Sequence, residues 1–458
     1  LSCQKWKCRI MPNPSTRVLV PAGALGLGWD EEALEAGLKR KPDLIAIDGG
    51  STDSGPAYLG RGVSKYSRAQ TKAEWGALIN AAHRAGCPLM IGTAGTCGAG
   101  SAVDWLLDIT REVLAEAGRS AKIAVLYCDR DPAMLAREWA KVTPLSGAPD
   151  VDPAMLADCS NIVALAGVEQ VQAALETGAE IVICGRTTDT AILAALPISN
   201  GCHLGAAWHG AKVGECGALC CTHPDTGVIE LLFDATGFTV TPMAEASVAT
   251  PRTVAAHLLY ENSDPIVLHE PGGHLDVSAA TYEAQGKSVR VEGSEWHAAP
   301  YTVKLEGARV AGQGVMSLVL IRDPRYVAEI DDWCASLLAR ARSKVSERMG
   351  DVEYDLELRR IGKDATLGAS EPGVALPNEI GILAQVIAPD AATAREVAKT
   401  VNPLLLHHPL TPEEPMPTFA FPYSPPEMDL GPQYEFVLHH VLALDDPMDG
   451  FRLEVVDV

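Results

Sequence analysis

The sequence predicts an α/β fold: a mostly parallel, doubly wound sheet followed by a linking subdomain and a ferredoxin-like α+β C-terminal domain. Three observations carry this. From Arg17 to about Pro197, apolar strand-like runs alternate with amphipathic helical stretches, the pattern of a parallel sheet covered on both faces. Between Asn200 and about Pro300 the signals turn irregular, with connections rich in Gly, His, Cys and Thr. Beyond residue 312 the elements follow the order βαββαβ of a split β-α-β sandwich. The expected boundaries are 11–225 for the Rossmann-like domain, 226–310 for a linking or lid subdomain, and 311–458 for the ferredoxin-like domain.

Strands are expected over residues 17–22, 43–48, 87–92, 122–127, 161–166 and 180–184, with helices over 31–40, 72–85, 102–117 and 132–141. Six β/α units fall short of the eight of a barrel, which favours the open sheet. The loops after these strands carry the polar residues: 23–28, 48–56, 93–100, Asp129 with Asp131, and 185–189. In either architecture the carboxyl ends share one side, so these loops meet at one edge, where α/β sheets bind ligands. The last third reads as a strand (312–321), a long helix (326–349), strands (355–361 and 381–387), a helix (391–402) and a strand (435–444). A proline-rich loop over 409–432 precedes that last strand.

A chain of 458 residues, 47% hydrophobic and 5% aromatic, has enough apolar content for about two or three domains with proper cores. Lys and Arg number 37 against 59 Asp and Glu, a net charge of −22, which speaks against nucleic acid or anionic membranes as partners. An anionic substrate would need local Arg or Lys to override that field. No apolar run approaches the ~18 residues of a membrane span. Residues 1–10, basic and holding Cys3 and Cys8 without an apolar core, read as an extension upstream of a start at Met11. Twelve cysteines without a CxxC pair or a small secreted framework predict reduced thiols and a cytoplasmic protein.

Residues 44–56 run from an apolar strand into two carboxylates, three hydroxyls and three glycines. Asp48 and Asp53 can act as general acid and base, since paired carboxylates in a dry crevice repel and raise one pKa. They can equally hold a divalent cation with Ser51 or Thr52, or Asp53 can simply cap a turn. The spacing of Gly23, Gly26 and Gly28 departs from the dinucleotide fingerprint and reads as a tight turn beside a pocket. Gly92, Thr93, Gly95, Thr96 and Gly98 form either a cradle for a carboxylate or phosphate or a plain strand-to-helix connection. Arg186 suits bidentate capture of a carboxylate, with Asp189 orienting it or capping the next helix. Lys304 and Glu306 share a strand face, as a substrate anchor with its base or as a cross-strand pair. His203, His209, Glu215 and Cys216, and then His269, Glu270, His274 and Asp276, lack a recognised metal-ligand spacing. No nucleophile elbow or phosphate-binding P-loop is present.

Six segments together resemble the acyclic terpene utilisation AtuA-like family: 48–60 (DGGSTDSGPAYLG), 91–99 (IGTAGTCGA), 185–189 (GRTTD), 209–219 (HGAKVGECGAL), 270–276 (EPGGHLD) and 301–307 (YTVKLEG). The likeness runs from about Met11 to the C-terminus. It implies a role in the catabolism of branched acyclic terpenoids and other organic acids, and specifies no reaction. It also favours Glu215, Cys216 and Glu270 over the neighbouring histidines. The resulting expectation is a lyase (hydratase) or isomerase acting on a small organic acid or its CoA thioester by proton abstraction. Asp48, Asp53, Glu215 and Glu270 would move the proton, and Ser51, Thr52, Gly92, Thr93, Gly95, Arg186, Asp189 and Lys304 would hold the substrate. No cofactor is expected, a divalent metal is the open option, and the partner is a second copy of the chain. The alternative is a non-catalytic or partner-dependent ligand-binding subunit of a catabolic complex.

Overall fold

The computed structural model describes residues 14–373 and 376–458, so the expected extension before Met11 lies outside the described residues. The fold is mixed α/β. Its contacts divide into two units, residues 1–309 with 436–458, and residues 310–435.

The strands of the first unit are β1 (Ser15–Val20), β2 (Leu44–Asp48), β3 (Leu89–Gly92), β4 (Lys122–Tyr127), β5 (Val142–Pro144), β6 (Cys159–Ala164) and β7 (Ile181–Cys184). Then come β8 (Ile229–Asp234), β9 (Gly237–Pro242), β10 (Val267–Glu270), β11 (Gly273–Asp276), β12 (Thr281–Gln285), β13 (Ser288–Glu292) and β14 (Glu295–Ala298). The second unit holds most of β15 (Thr302–Ile321), β16 (Asp355–Ile361), β17 (Ile380–Ala388) and the first part of β18 (Glu427–Ala443); β19 (Arg452–Asp457) returns to the first.

The main sheet has ten strands in the order β12-β13-β9-β8-β1-β2-β3-β7-β4-β19. Its centre, β1-β2-β3-β7-β4, is parallel. Every residue of β2, β3 and β7 is buried, as expected of strands covered on both faces. Alternation sorts their side chains into two cores. Leu19, Ile45, Ile47, Ile91, Val125 and Ile183 face one way, toward helices Glu31–Leu38, Arg68–Ala85 and Gly100–Glu116. Val18, Leu44, Ala46, Met90, Leu126 and Val182 face the other, toward Val168–Glu176, Ala191–Ser199 and Leu204–Gly214. The helix Arg68–Ala85 starts where the Ser67 hydroxyl accepts from Gln70 N and ends at Gly86, φ 69°. Trp75, fully buried, ties it to the next helix by donating from Nε1 to Thr110 Oγ1 at 2.9 Å.

Two expectations are corrected. The sheet is mixed rather than mostly parallel, because β8, β9, β12 and β13 extend one edge as antiparallel strands and β19 pairs antiparallel with β4 on the other. The irregular region after residue 200 thus folds largely into hairpins. The expected fifth parallel strand, residues 161–166, leaves this sheet: β6 pairs antiparallel with Leu305 to Arg309 of β15. Its half-exposed Cys-Ser-Asn start does not suit a slot buried on both faces, and β7 occupies the place between β3 and β4.

In the second unit β15, β17 and β16 pair antiparallel, within the order β18-β15-β17-β16. Helices Ile330–Met349 and Ala391–His407 cover this sheet, burying Trp333, Leu337, Val345, Val397 and Leu405 against Val315, Val319 and Ile382.

The carboxyl ends of the parallel strands are held by close backbone approaches. Gly98 adopts φ +64°, and a Cβ there would stand 2.2 Å from Arg186 N. Gly98→Ala is expected to cost about 3 kcal/mol, combining left-handed strain with a backbone clash. Gly118, at φ +62° with open space around its Cβ position, should cost only about 1 kcal/mol as alanine. Urea unfolding midpoints of the two variants check this difference.

Candidate active site

Two cavities of the first unit lie at opposite ends of the parallel strands. One, of about 460 Å³, sits at their amino ends, lined by Ile79, Leu89, Leu114, Ile181 and Leu196 among others. The second, of about 320 Å³, sits at their carboxyl ends and collects the titratable groups. The turn Gly23, Ala24, Leu27 and Gly28 after β1 forms one wall, and Asp48, Gly50 and Ser51 after β2 form the next. Asp189, Cys216, Tyr260, Glu261, Lys65 and Tyr66 complete the polar lining, and Leu219 and Pro224 the apolar.

Asp48 ends β2 and is 5% exposed. Its Oδ2 accepts from Gly50 N at 2.9 Å, and Gly50 itself turns away with φ 114°. Its Oδ1 is buried with no hydrogen-bond partner. Burial, reinforced by the charge of Asp189, pushes the Asp48 carboxyl well above the ordinary range. Asp189 is itself raised to about 6, by burial first, then by Glu261 and Asp53 against the opposing Arg186. The pair that shares the crevice is therefore Asp48 with Asp189. Asp53 is exposed on a short turn, taking a hydrogen bond from the Ser51 hydroxyl, and does not line the cavity.

Arg186 is not open to a ligand. It is 5% exposed, and its Nε and NH2 donate to Glu306 Oε2 and Oε1 at 3.0 and 3.2 Å. NH1 donates to Thr93 Oγ1 and to the carbonyl of Thr187, both at 3.3 Å, and NH2 also reaches Thr52 Oγ1 at 3.2 Å. Thr52 in turn donates to Glu306 Oε2 at 2.9 Å. Burial opposes the Glu306 charge, but the guanidinium prevails and holds the carboxyl down at about 2. Lys304, 37% exposed, approaches Glu306 from outside at 3.2 Å.

The loop of Gly92, Thr93 and Gly95 is also spent on the fold. Thr93 N donates to Gly185 O, Ala94 N to Cys184 O, Thr96 N to Gly49 O and Gly98 N to Ala94 O, so these amides close the strand ends instead of facing an anion. None of the three residues borders the 320 Å³ cavity.

Glu215 and Glu270 lie behind the cavity wall. Lys212 donates to Glu215 Oε1 at 2.5 Å, both side chains being buried. Burial nevertheless drives Glu215 well above its usual range, with Lys212 opposing and Asp189 adding to it. Glu270 accepts from the Thr190 hydroxyl at 2.5 Å, has a buried Oε2 without a partner, and is raised by burial to about 7. His257, 5% exposed and lowered to about 4 by burial and Lys212, joins this group. Sequence reasoning did not single out His257, Lys65, Tyr66, Tyr260 or Glu261. The one readable signal was the i, i+3 spacing of Lys212 and Glu215 at a helix end.

Fold and site together define an α/β protein with a carboxylate-lined pocket at the carboxyl edge of its parallel strands. The chain belongs to the acyclic terpene utilisation family: the model of the acyclic terpene utilisation family protein AtuA matches residues 78–222 and 232–420. Comparison with curated proteins and with solved structures finds no match. The matched residues include Arg186, Asp189, Glu215, Cys216, Glu270 and Glu306, while Asp48 precedes them. No described helix is long and apolar enough to cross a membrane.

Two predictions concern stability. Glu306→Ala strips a buried guanidinium of its closest ion-pair partner, leaving Asp189 Oδ1 at 3.8 Å, and should cost about 3–5 kcal/mol in urea unfolding, whereas Lys304→Ala should cost about 1 kcal/mol or less. Because Glu306 is depressed, its contribution is whole above its ordinary 4.5 and is lost as pH falls through about 2. Asp189 and Glu270 act with the opposite sign: both are raised, so the folded state loses stability as pH climbs from about 4 through 6 and 7. Unfolding midpoints between pH 4 and 8 should decline less in Asp189→Asn and in Glu270→Gln than in the parent.

Proposed function

We propose that the chain is an acid–base enzyme of acyclic terpenoid catabolism that moves a proton on a branched organic acid or its CoA thioester, giving isomerisation, hydration or elimination. The observation that carries the proposal is the Asp48 and Asp189 pair: two carboxylates lining one cavity, one with a buried oxygen that has no hydrogen-bond partner among the described residues. Burial raises both carboxyls, and a raised carboxylate pair in one cavity suits a division into base and acid. Asp189, up to about 6, is ionised near neutrality and serves as base. Asp48, which burial pushes well above the ordinary carboxylate range, serves as acid.

Proton abstraction next to a thioester carbonyl places charge on the carbonyl oxygen, which needs donors. Burial raises the phenols of Tyr66 and Tyr260, so both remain donors at neutral pH. Returning the proton from Asp48 to carbon moves a double bond, and giving it to a β-hydroxyl expels water. Leu27 and Leu219, 63% and 47% exposed at this cavity, suit a branched hydrocarbon chain. Lys65 is the cation of the cavity wall and suits the anionic end of the substrate against the negative field. Arg186 then acts as a positioning residue: its charge biases both aspartates while its hydrogen bonds fix the loops that bear the cavity wall.

We also infer a doubly wound core for the first unit and a ferredoxin-like layout for the second. Helices on both faces of β1-β2-β3-β7-β4 support a doubly wound core. The order β18-β15-β17-β16, with chain order βαββαβ, supports a ferredoxin-like second unit.

The test is exchange of solvent deuterium into the α position of a panel of branched acyl-CoA thioesters, followed by NMR. The parent should exchange at least one of them, and Asp189→Asn or Asp48→Asn should slow exchange by ~10²-fold or more without lowering the melting temperature. The rate should rise with pH through about 6, a limb that Asp189→Asn removes. Binding without exchange, or exchange at parental rate in both variants, would overturn the assignment.

A further inference from the structure

We propose that Glu215, Cys216 and His257 form a three-ligand zinc site whose fourth position opens on the 320 Å³ cavity. A carboxylate oxygen, a thiol sulfur and an imidazole nitrogen of these residues all lie within 4.8 Å of one another. Tetrahedral zinc, with bonds of about 2.0 to 2.3 Å, holds its ligand atoms roughly 3.3 to 3.8 Å apart, so side-chain adjustments of about an ångström close the set.

The second observation is independent of that clustering. His257 is 95% buried, as its 5% exposure states, yet its Nε2 has no hydrogen-bond partner. An unsatisfied imidazole nitrogen in the interior is costly unless something takes its lone pair, and a metal does so. The surroundings also resemble support for ligands. The ring of Tyr260 stacks on His257 with centroids 5.3 Å apart and planes 7° from parallel, which fixes the imidazole. Lys212 grips Glu215 Oε1 at 2.5 Å, leaving the second oxygen for a cation.

The ligand types select the ion. Thiolate, imidazole and carboxylate together suit zinc and exclude magnesium or calcium, which take oxygen ligands. Charge balance agrees: one thiolate and one carboxylate offset the dication, and Asp189 and Glu270 face the added charge of Lys212. Three protein ligands with one open position are the arrangement of catalytic rather than structural zinc. Cys216 borders the cavity, which puts the proposed ion beside the space where substrate would bind. In its catalytic sense this inference rests on the acid–base reading, because zinc there would polarise the carbonyl whose neighbouring proton Asp189 removes. Its metal content is measured without any turnover.

The experiment is titration of the metal-stripped full chain with cobalt(II), then with zinc. The expected result is about one cobalt per chain with a thiolate-to-cobalt charge-transfer band, displaced by zinc, lost in Cys216→Ser and kept in Cys220→Ser. X-ray absorption on the zinc-loaded parent chain needs no variant and should show a single sulfur among nitrogen and oxygen ligands. Absence of stoichiometric binding, a band that survives Cys216→Ser, or a zinc shell with no sulfur or several would overturn the site. A zinc-loaded chain whose Asp48→Asn and Asp189→Asn variants exchange deuterium at the parental rate would uphold the metal and sink the acid–base reading instead.

Discussion

The guanidinium of Arg186 and the carboxylate of Glu306 are both withdrawn from water, and each offsets most of the cost of burying the other. Around that pair converge four parts of the chain: Thr52 after β2, Thr93 after β3, residues 186 and 187 after β7, and β15 through Glu306. None of these segments is long enough to hold its own shape. The loop after β3 turns through left-handed conformations at Thr93, Gly95, Thr96 and Gly98, and that of β2 does so at Gly50. The ion pair converts these strained turns into one fixed rim, on which Asp48 and Asp189 keep their separation.

The same rim sets the electrostatics. Two buried cations, Arg186 and Lys212, stand among Asp48, Asp189, Glu215, Glu270 and Glu306. Glu306 takes the full benefit of Arg186 and stays ionised. Asp48, Glu215 and Glu270 receive less than their burial takes away, and so their affinity for protons is raised. A pocket with fewer positive charges than carboxylates stores protons, and the local arrangement decides which carboxylate releases first. That is why a single network can both brace the fold and leave groups poised for transfer.

Much of this was legible in the chain. The runs that became β1, β2, β3, β4 and β7 announced themselves through apolar composition and the polar loops that follow them, since burial on both faces leaves an unmistakable pattern. Asp48 stood out because a carboxylate at the end of such a strand has little structural reason to be there. What could not be read was partnership. Asp53 lies closer in sequence to Asp48 than Asp189 does, yet a turn carries it outward, and only the folded sheet brings β7 beside β3. Arg186 looked like an open anion grip because its partner, Glu306, lies 120 residues away. Likewise β6 was apolar enough to pass for a sheet strand, and the competition with β7 for one slot is a tertiary fact. The strands β12 and β13 went unseen because they carry no continuous apolar run.

The strand β19 has a consequence during synthesis. Val125 and Leu126 of β4 find their edge partners in Glu454 and Leu453, so the sheet cannot close on that side until the ribosome has passed residue 450. Meanwhile the whole second unit has been made between the two halves of the first. For all that time β4 presents unpaired amides and carbonyls, a template for wrong pairing between nascent chains. A protein built this way folds late and with high contact order. Its yield in a cell depends on what shields that edge while translation continues.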